Sequence, residues 1–239
     1  MPTDVYEPFN ADIESHGGYQ YAFLARRSAV CANRRFSDVI IRTARLDGKR
    51  VVDVGCGDAT YTAVLRAETR AAFILGIDPA AKAIALAKSR HAPGHEGLAF
   101  RNCFASDLIS EGEHFDVAIY RGVMHHVGDP AAEIAAALRL ADAVLLLEPN
   151  GYNPGVKLIE RMSSYHRSHF ERSFPLSRYR RWIEAAGGRI EEAFYFGLVP
   201  MFSPDWFVSL GKFLEPFVER LPGVRTILCG QIAILAVAG

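Results

Sequence analysis

The chain has 239 residues, of which 50% are hydrophobic and 23% are charged, a balance typical of a folded α/β domain and not of a disordered chain. Its 27 Lys and Arg residues equal its 27 Asp and Glu residues, so no net charge favours nucleic acid or a membrane as a partner. The four cysteines lack zinc-ligand spacing, the acidic N-terminus does not resemble a signal peptide, and no apolar stretch is long enough for a membrane-spanning helix. We therefore expect a cytoplasmic protein without a metal site or stable membrane insertion.

The first predicted element is a helix over residues 28–45, where apolar positions recur among arginines before the Asp47-Gly48 turn. Strands that alternate with helices follow. The predicted strands cover residues 50–54, 71–78, 98–104, 115–120 and 143–148. The predicted helices between them cover residues 58–68, 79–90 and 129–141, the last with Asp129 as its N-cap. After Glu148 the alternation stops, and the last elements are a helix over 177–186, a strand over 189–199, a helix that begins near Ser203, and a strand over 231–238.

This alternation predicts an α/β fold with a doubly wound, mostly parallel, seven-stranded sheet. We expect one domain over residues 45–239 and an N-terminal helical cap over residues 1–44. Two segments interrupt the sheet pattern, at about 149–176 and 200–225, and we interpret them as substrate or lid insertions.

The turn after the first strand, in RVVDVGCGDATYT (residues 50–62), indicates a ligand site, because a glycine turn at the carboxyl edge of a parallel sheet lets a ligand approach the backbone. A pyrophosphate dinucleotide is one candidate. Two observations argue against it: Thr60 stands where GxGxxG has its third glycine, and the carboxylates of Asp53 and Asp58 would repel a pyrophosphate. The turn is better suited to a cationic ligand without phosphate.

These residues resemble the class I S-adenosylmethionine-dependent methyltransferases, in the branch that acts on small molecules. The similarity covers residues 48–150 and lies in VVDVGCGDAT, LGIDPA and FDVAIYRGVMHHVGDP. It implies S-adenosylmethionine as cofactor and S-adenosylhomocysteine as product. It also implies that Gly55, Cys56 and Gly57 line the methionine and ribose part, that Asp53 holds the turn or meets the ammonium, that Asp78 accepts the ribose hydroxyls, and that Pro79 packs on adenine.

At the end of the third strand the chain departs from the family, because Cys103 or Phe104 stands where an acidic residue usually faces adenine. Adenine recognition would then depend on stacking of Phe104, on the backbone of Ala105, and on Ser106 or Asp107. Arg121 either contacts the methionine carboxylate or is solvated.

Three residues at the ends of the fourth and fifth strands are candidates for the catalytic base: His125, His126 and Glu148. A histidine titrates near neutral pH, but one member of such a pair often has only a structural role.

Substrate contacts are predicted in two segments, which could equally be solvated surface. Their candidate residues are Tyr19 and Tyr21 near the N-terminus, and Tyr152, Tyr165, His166 and His169 in the polar loop. An apolar helical face over residues 206–221 indicates core packing, a hydrophobic acceptor pocket, a dimer contact or a lipid-facing surface.

The combined interpretation is a monomeric or homodimeric methyltransferase that acts on a small molecule, with an oxygen acceptor favoured because several possible bases surround the site. Nucleic acid is not expected as the substrate. The alternatives are an NAD-type oxidoreductase and a catalytically silent protein that binds S-adenosylmethionine.

Overall fold

The computed structural model describes residues 26–91, 96–162 and 172–239. In its first half, helices and strands alternate: α1 (Arg27–Ala44), β1 (Arg50–Val54), α2 (Thr60–Glu68), β2 (Phe73–Ile77), α3 (Ala81–His91), β3 (Leu98–Arg101), α4 (Ala105–Ser110), β4 (Phe115–Arg121), α5 (Pro130–Leu140) and β5 (Ala141–Pro149). The second half contains α6 (Pro154–Met162), α7 (Leu176–Ala185), β6 (Gly188–Phe196), α8 (Asp205–Val218), α9 (Val224–Leu228) and β7 (Gln231–Ala238).

The strands in the described ranges form one seven-stranded sheet in the order β3-β2-β1-β4-β5-β7-β6. The pairs from β3 to β5 are parallel, whereas β7 runs antiparallel to both β5 and β6. The carboxyl ends of β1, β2, β4, β5 and β6 therefore lie along one edge of the sheet. The predicted doubly wound, mostly parallel fold is confirmed.

Helices cover both faces of the sheet, which explains why the central strands are apolar at nearly every position. Val51 and Ile119 face one buried layer, together with residues of α1, α2 and α3. Val52 and Ala118 face the opposite layer, together with residues of α4, α5 and α7. The helix α1 is thus an integral part of one layer, with Phe36, Val39 and Ile40 buried against the sheet.

Several predicted boundaries were wrong. The helix α2 begins at Thr60 and not at Asp58, because Ala59 has a positive φ of 62°. The strand β3 ends at Arg101, and the chain then turns into α4, which the sequence pattern did not indicate. The helices α6 and α9 were also missed, because the polar composition of residues 149–175 favoured a loop there and α9 has only five residues. The predicted N-cap of α5 is confirmed, since the Asp129 carboxylate accepts the N–H groups of Ala131 and Ala132.

Within the described ranges, no helix is both long enough and apolar enough to span a bilayer.

Candidate functional site

The turn after β1 is held in one shape at the carboxyl edge of the sheet. Gly55 and Gly57 have φ angles of 73° and 57°, in the left-handed region that favours glycine. The Ile77 carbonyl accepts the N–H groups of Gly55 at 2.8 Å and of Cys56 at 3.0 Å. A Cβ atom on Gly55 would lie 2.6 Å from a methyl group of Val123, in the loop after β4. Side chains are therefore excluded where the turn meets this loop.

Asp78 is a buried carboxylate that ties the second strand to the glycine turn. One of its oxygens accepts the N–H of Gly57 at 3.0 Å, and the other accepts the N–H of Ala80 at 2.8 Å. Burial raises the pKa of this carboxyl to about 6, although both N–H groups act to lower it. Asn102, which sequence reasoning missed, donates its amide to the Asp78 carbonyl at 2.9 Å and so holds the end of β2 against the chain after β3.

Asp53 is the second buried carboxylate of the turn. It accepts the Thr62 hydroxyl of α2 at 2.6 Å, which anchors the first turn of that helix. Burial raises the pKa of Asp53 to about 6, the Thr62 hydrogen bond and the charge of Arg121 oppose this rise, and the charge of Asp78 adds to it. Burial and the Asp53 and Asp78 charges also raise the pKa of the Cys56 thiol well above its usual value, so this thiol stays protonated.

Asp58 does not add to the negative charge of the turn, contrary to the sequence-based expectation. This carboxylate is buried but pairs with Arg90 at 3.2 Å and accepts the N–H of Thr60 at 3.1 Å. Its charge is therefore neutralised within the fold. The excess of negative charge at the turn comes from Asp53 and Asp78.

Arg121, at the end of β4, lies close enough to influence the Asp53 carboxylate. Its guanidinium lies 3.9 Å from the centre of the Tyr61 ring, and one nitrogen donates to the Asn33 side chain at 2.9 Å. Burial lowers the pKa of Arg121 to about 10. The other terminal nitrogen, Nη1, is buried and has no hydrogen-bond partner among the described residues. Asn33 belongs to α1, so no local sequence signal could have indicated this contact.

The candidate adenine residues follow β2 and β3. Pro79 is half-buried directly after Asp78. Phe104 precedes α4 and leaves 38% of its surface exposed, while its N–H donates to the Asp107 carboxylate at 2.9 Å. Ala105 is buried, so only its backbone could face a ligand, and Ser106 is exposed.

Glu148 lies at the end of β5 and is completely buried. One carboxylate oxygen accepts the N–H groups of Val123 at 2.9 Å and of Met124 at 2.8 Å. The other lies 2.7 Å from Nδ1 of His125. Three bonds to the loop after β4 occupy this completely buried carboxylate, which therefore holds the His125 ring in place.

The two adjacent histidines lie against each other, with ring centres 3.9 Å apart. His125 is about nine-tenths buried. Tyr179 of α7, which sequence reasoning missed, approaches the same cluster: its pKa is raised well above the usual value by burial and by the charge of Glu148. The loop after β4 thus connects the histidines to the glycine turn. Its Val123 lies beside Gly55 and also donates its N–H to Glu148, the partner of His125.

Of the predicted substrate residues, the structure describes Tyr152 alone. Its hydroxyl bonds to Ser177 at 3.1 Å, and 44% of its surface is exposed. The other predicted substrate residues, Tyr19, Tyr21, Tyr165, His166 and His169, lie outside the described residues. Among the residues that the structure describes, no three His, Cys, Asp or Glu side chains are close enough together to hold a metal ion.

Residues 25–193 match the sequence profile of a family described as a methyltransferase domain, which is more than half of the chain. The chain belongs to this methyltransferase domain family. Methyltransferases of this family use S-adenosylmethionine as the methyl donor, which confirms the predicted family and cofactor.

Among curated relatives, the ubiquinone biosynthesis O-methyltransferase of Hahella chejuensis is 34% identical over 105 residues, which are 44% of this chain and 43% of that protein. The enzyme of the same name from Neisseria meningitidis is 34% identical over 121 residues, or 49% of this chain and 50% of its own. The chain thus spans about half the length of these relatives, or less.

Solved structures match nearly the whole chain. Magnesium protoporphyrin IX methyltransferase from Synechocystis PCC 6803, with bound S-adenosylhomocysteine, has a TM-score of 0.67 and 16% identity, and covers 99% of this chain and 97% of its own. The [4+2]-cyclase SpnF has a TM-score of 0.67 and 19% identity, with 98% and 93% covered. Because a cyclase has this fold too, the fold alone does not assign the reaction.

The described residues fit S-adenosylmethionine on physical grounds. Two buried carboxylates, Asp53 and Asp78, lie at a turn where burial disfavours their charge, and a cationic ligand would relieve that cost. The unpartnered Nη1 of Arg121 matches an anionic group such as the methionine carboxylate.

Proposed function

We propose that the protein transfers a methyl group from S-adenosylmethionine to a hydroxyl oxygen of a small molecule, with His125 as the general base. The observation that carries this proposal is the bond between the buried Glu148 carboxylate and Nδ1 of His125. The O-methyltransferase names of the curated relatives support an oxygen acceptor. The balanced charge of the chain supports a small molecule and not a nucleic acid.

The cofactor would be held by the glycine turn and its neighbours. Asp78 would accept the ribose hydroxyls, Asp53 and the turn would lie near the ammonium, and Arg121 would pair with the carboxylate. When bound, the cofactor supplies an activated methyl group on a sulfonium. The protein's main task is then to hold the acceptor in line, since good orientation contributes about 7 to 11 kcal/mol to such reactions.

The remaining task is to accept the proton of the hydroxyl. The Glu148 carboxylate would accept the N–H of Nδ1, which makes Nε2 of His125 the nitrogen that can act as a base. A positioned base contributes about 10²- to 10⁴-fold to the rate. His126 is the alternative base, because its ring lies against that of His125.

Glu148→Gln tests this arrangement, because glutamine keeps the shape and one acceptor oxygen but presents an N–H to Nδ1. His125 would then carry its proton on Nε2 and lose its function as a base. We expect kcat to fall about 100-fold or more, with nearly unchanged affinity for S-adenosylhomocysteine and a changed pH profile of kcat. His125→Asn should show the same loss of kcat.

His114→Gln is the matched control, because His114 also pairs with a carboxylate, Asp142 at 2.9 Å, but lies at the opposite edge of the sheet. It should leave kcat unchanged. If Glu148→Gln and His114→Gln had equal, small effects on kcat, His125 would have no role as the base. If His126→Ala alone abolished turnover, the base would be His126.

Calorimetric titration distinguishes the proposed methyltransferase from the two alternatives, an NAD-type oxidoreductase and a catalytically silent binding protein. We expect binding of S-adenosylmethionine and S-adenosylhomocysteine but not of NAD. Binding of NAD alone would indicate an oxidoreductase, and cofactor binding without turnover of any acceptor would indicate a silent binding protein.

We also propose a cytoplasmic location and a monomeric or homodimeric state. The four cysteines are free thiols, which is typical of a reducing compartment. Light scattering coupled to gel filtration would measure the oligomeric state.

A further inference from the structure

The helix α8, in the connection between β6 and β7, exposes most of its large apolar side chains and buries a carboxylate. A surface helix normally buries its apolar side and exposes its polar side. Here the apolar side is exposed: Trp206 has 70% of its surface accessible and Phe213 has 68%, and Leu210, Phe217 and Leu221 lie on the same side. From the sequence pattern, core packing, a hydrophobic acceptor pocket, a dimer contact and a lipid-facing surface were all possible for this side.

The buried side of α8 carries charges that attach the helix to the domain. Glu215 is buried, accepts the N–H of Leu198 at 3.2 Å and pairs with Lys212 at 2.6 Å. Glu219 accepts the N–H of Gly197 at 3.0 Å and pairs with Arg35 of α1. These bonds hold the apolar side outward.

The next helix extends the exposed apolar surface. Val224, Ile227 and Leu228 of α9 are exposed, and so is Phe202 before α8. We call these residues, together with the exposed side of α8, the α8–α9 face. A continuous exposed surface of this kind in a soluble domain marks a binding surface for an apolar partner.

Cations border the α8–α9 face. Arg220 is exposed, Arg225 is half-buried, and Arg27 of α1 donates to Ser209 of α8 at 2.9 Å, whereas the exposed Lys212 is paired with Glu215. Two of the three acidic residues between positions 200 and 230, Glu215 and Glu219, point inward, which leaves Asp205 as the exposed acid of this segment. The exposed surface therefore combines aromatic side chains with positive charge, although the whole chain is neutral.

We propose that the α8–α9 face binds the surface of a membrane that contains anionic lipids. Aromatic and aliphatic side chains would enter the boundary between headgroups and acyl chains, and the bordering cations would contact the lipid phosphates. A second copy of the chain fits less well, because the same face on that copy would offer only the carboxylate of Asp205 to these cations. Binding of this kind needs no membrane-spanning helix.

The position of this face in the fold would determine how the bound protein is oriented on the membrane. The connection between β6 and β7 leaves the sheet at the same edge as the glycine turn and the His125 loop. A protein bound through this face would hold that edge next to the bilayer, where a lipid-soluble acceptor is concentrated. This consequence depends on the proposed function, whereas membrane binding itself does not.

Tryptophan fluorescence tests the proposal, because the chain has two tryptophans and Trp206 lies on the α8–α9 face. In the full chain with Trp182→Phe, Trp206 is the sole reporter. We expect vesicles of phosphatidylcholine with phosphatidylglycerol to shift its emission to the blue and to protect it from iodide, without cofactor or acceptor present. Vesicles of phosphatidylcholine alone and added salt should weaken both effects.

Co-sedimentation with the same vesicles tests the apolar side chains and the cations of the α8–α9 face separately. Phe213→Asp/Phe217→Asp should lower the affinity at least about ten-fold. Arg220→Glu should lower it about five-fold or more, since each cation near an anionic surface contributes about 1 kcal/mol. The matched controls are Ala85→Asp and Lys88→Glu, on the exposed side of α3 at the other end of the sheet, and they should bind like the wild type.

Three results would overturn the proposal. The first is the absence of vesicle binding, or equal losses in the α3 controls. The second is a dimer in solution that Phe213→Asp/Phe217→Asp converts to a folded monomer, which would assign the face to a second copy. The third is protection of Trp206 without vesicles that is lost when residues 1–25 are removed, which would assign the face to that segment.

Discussion

Two polar clusters lie at the same edge of the sheet and use their carboxylates differently. At the ends of β1 and β2, Asp53 and Asp78 are buried with neutral hydrogen-bond donors, and their pKa values are raised to about 6. At the end of β5, Glu148 has no accessible surface and bonds to two N–H groups and an imidazole. The carboxylates of Asp53 and Asp78 can interact with a cationic ligand, whereas the carboxylate of Glu148 holds the His125 side chain in place. Similar residues at similar strand ends therefore need not have similar roles.

The largest expected effect comes from removing the carboxylate of the second cluster. Glu148→Ala would leave two buried N–H groups and the His125 ring without their acceptor, so we expect the free energy of unfolding to fall by about 3 to 5 kcal/mol. Urea unfolding measures this change. Glu111→Ala, at a solvent-exposed pair with Arg101, is the control and should have no measurable effect. A loss no larger than that of the control would mean that Glu148 is not a structural acceptor.

In the first cluster, Asp78→Ala should mainly affect the ligand. We expect the affinity for S-adenosylmethionine to fall by about 2 to 4 kcal/mol, because hydrogen bonds from the ribose hydroxyls to a charged acceptor are lost. Calorimetry measures this affinity. Asp58→Asn is the matched control, since Arg90 already neutralises that carboxylate, and it should bind the cofactor normally. Equal losses in both variants would contradict the distinction between the two carboxylates.

The raised pKa of Asp53 predicts that the stability of the protein depends on pH. Its pKa in the folded protein, about 6, exceeds the ordinary value of 3.8, so ionisation costs folding energy. This cost is absent below pH 4, grows as the pH rises towards 6, and reaches about 3 kcal/mol above it. Asp78 acts in the same direction. Asp53→Asn should therefore reduce by about half the loss of stability of the ligand-free protein between pH 4 and 7, as measured by urea unfolding. An unchanged pH dependence would show that Asp53 is not the titrating group.

The smallest effect is expected at Arg121, whose charge acts on Asp53 of the first cluster. Arg121→Lys keeps the charge but loses the planar contact with Tyr61 and the bond geometry to Asn33. We expect about ten-fold weaker binding of S-adenosylmethionine, or roughly 1.4 kcal/mol. Arg139→Lys, on the exposed side of α5, serves as the control. Wild-type affinity in Arg121→Lys would mean that the guanidinium does not contact the cofactor.

Much of the fold could be predicted because its signals are local. The strands β1, β2 and β4 are short apolar runs between turn residues, and Asp129 before Pro130 is a local helix start. The helices α6 and α9 were not predicted, because α6 lies in a segment rich in polar residues and α9 has only five residues. The end of β3 could not be predicted either, since it depends on a bond from Asn102 to the distant carbonyl of Asp78.

The sequence was enough to identify the family and to place Asp53 and Asp58 beside the glycine turn, because they share one strand-turn-helix unit with it. What each charge does became clear from the three-dimensional arrangement. Asp58 is neutralised by Arg90, Glu148 is occupied by the His125 loop, and the apolar side of α8 faces outward. The physical reason is that these outcomes depend on partners that lie far away in the chain.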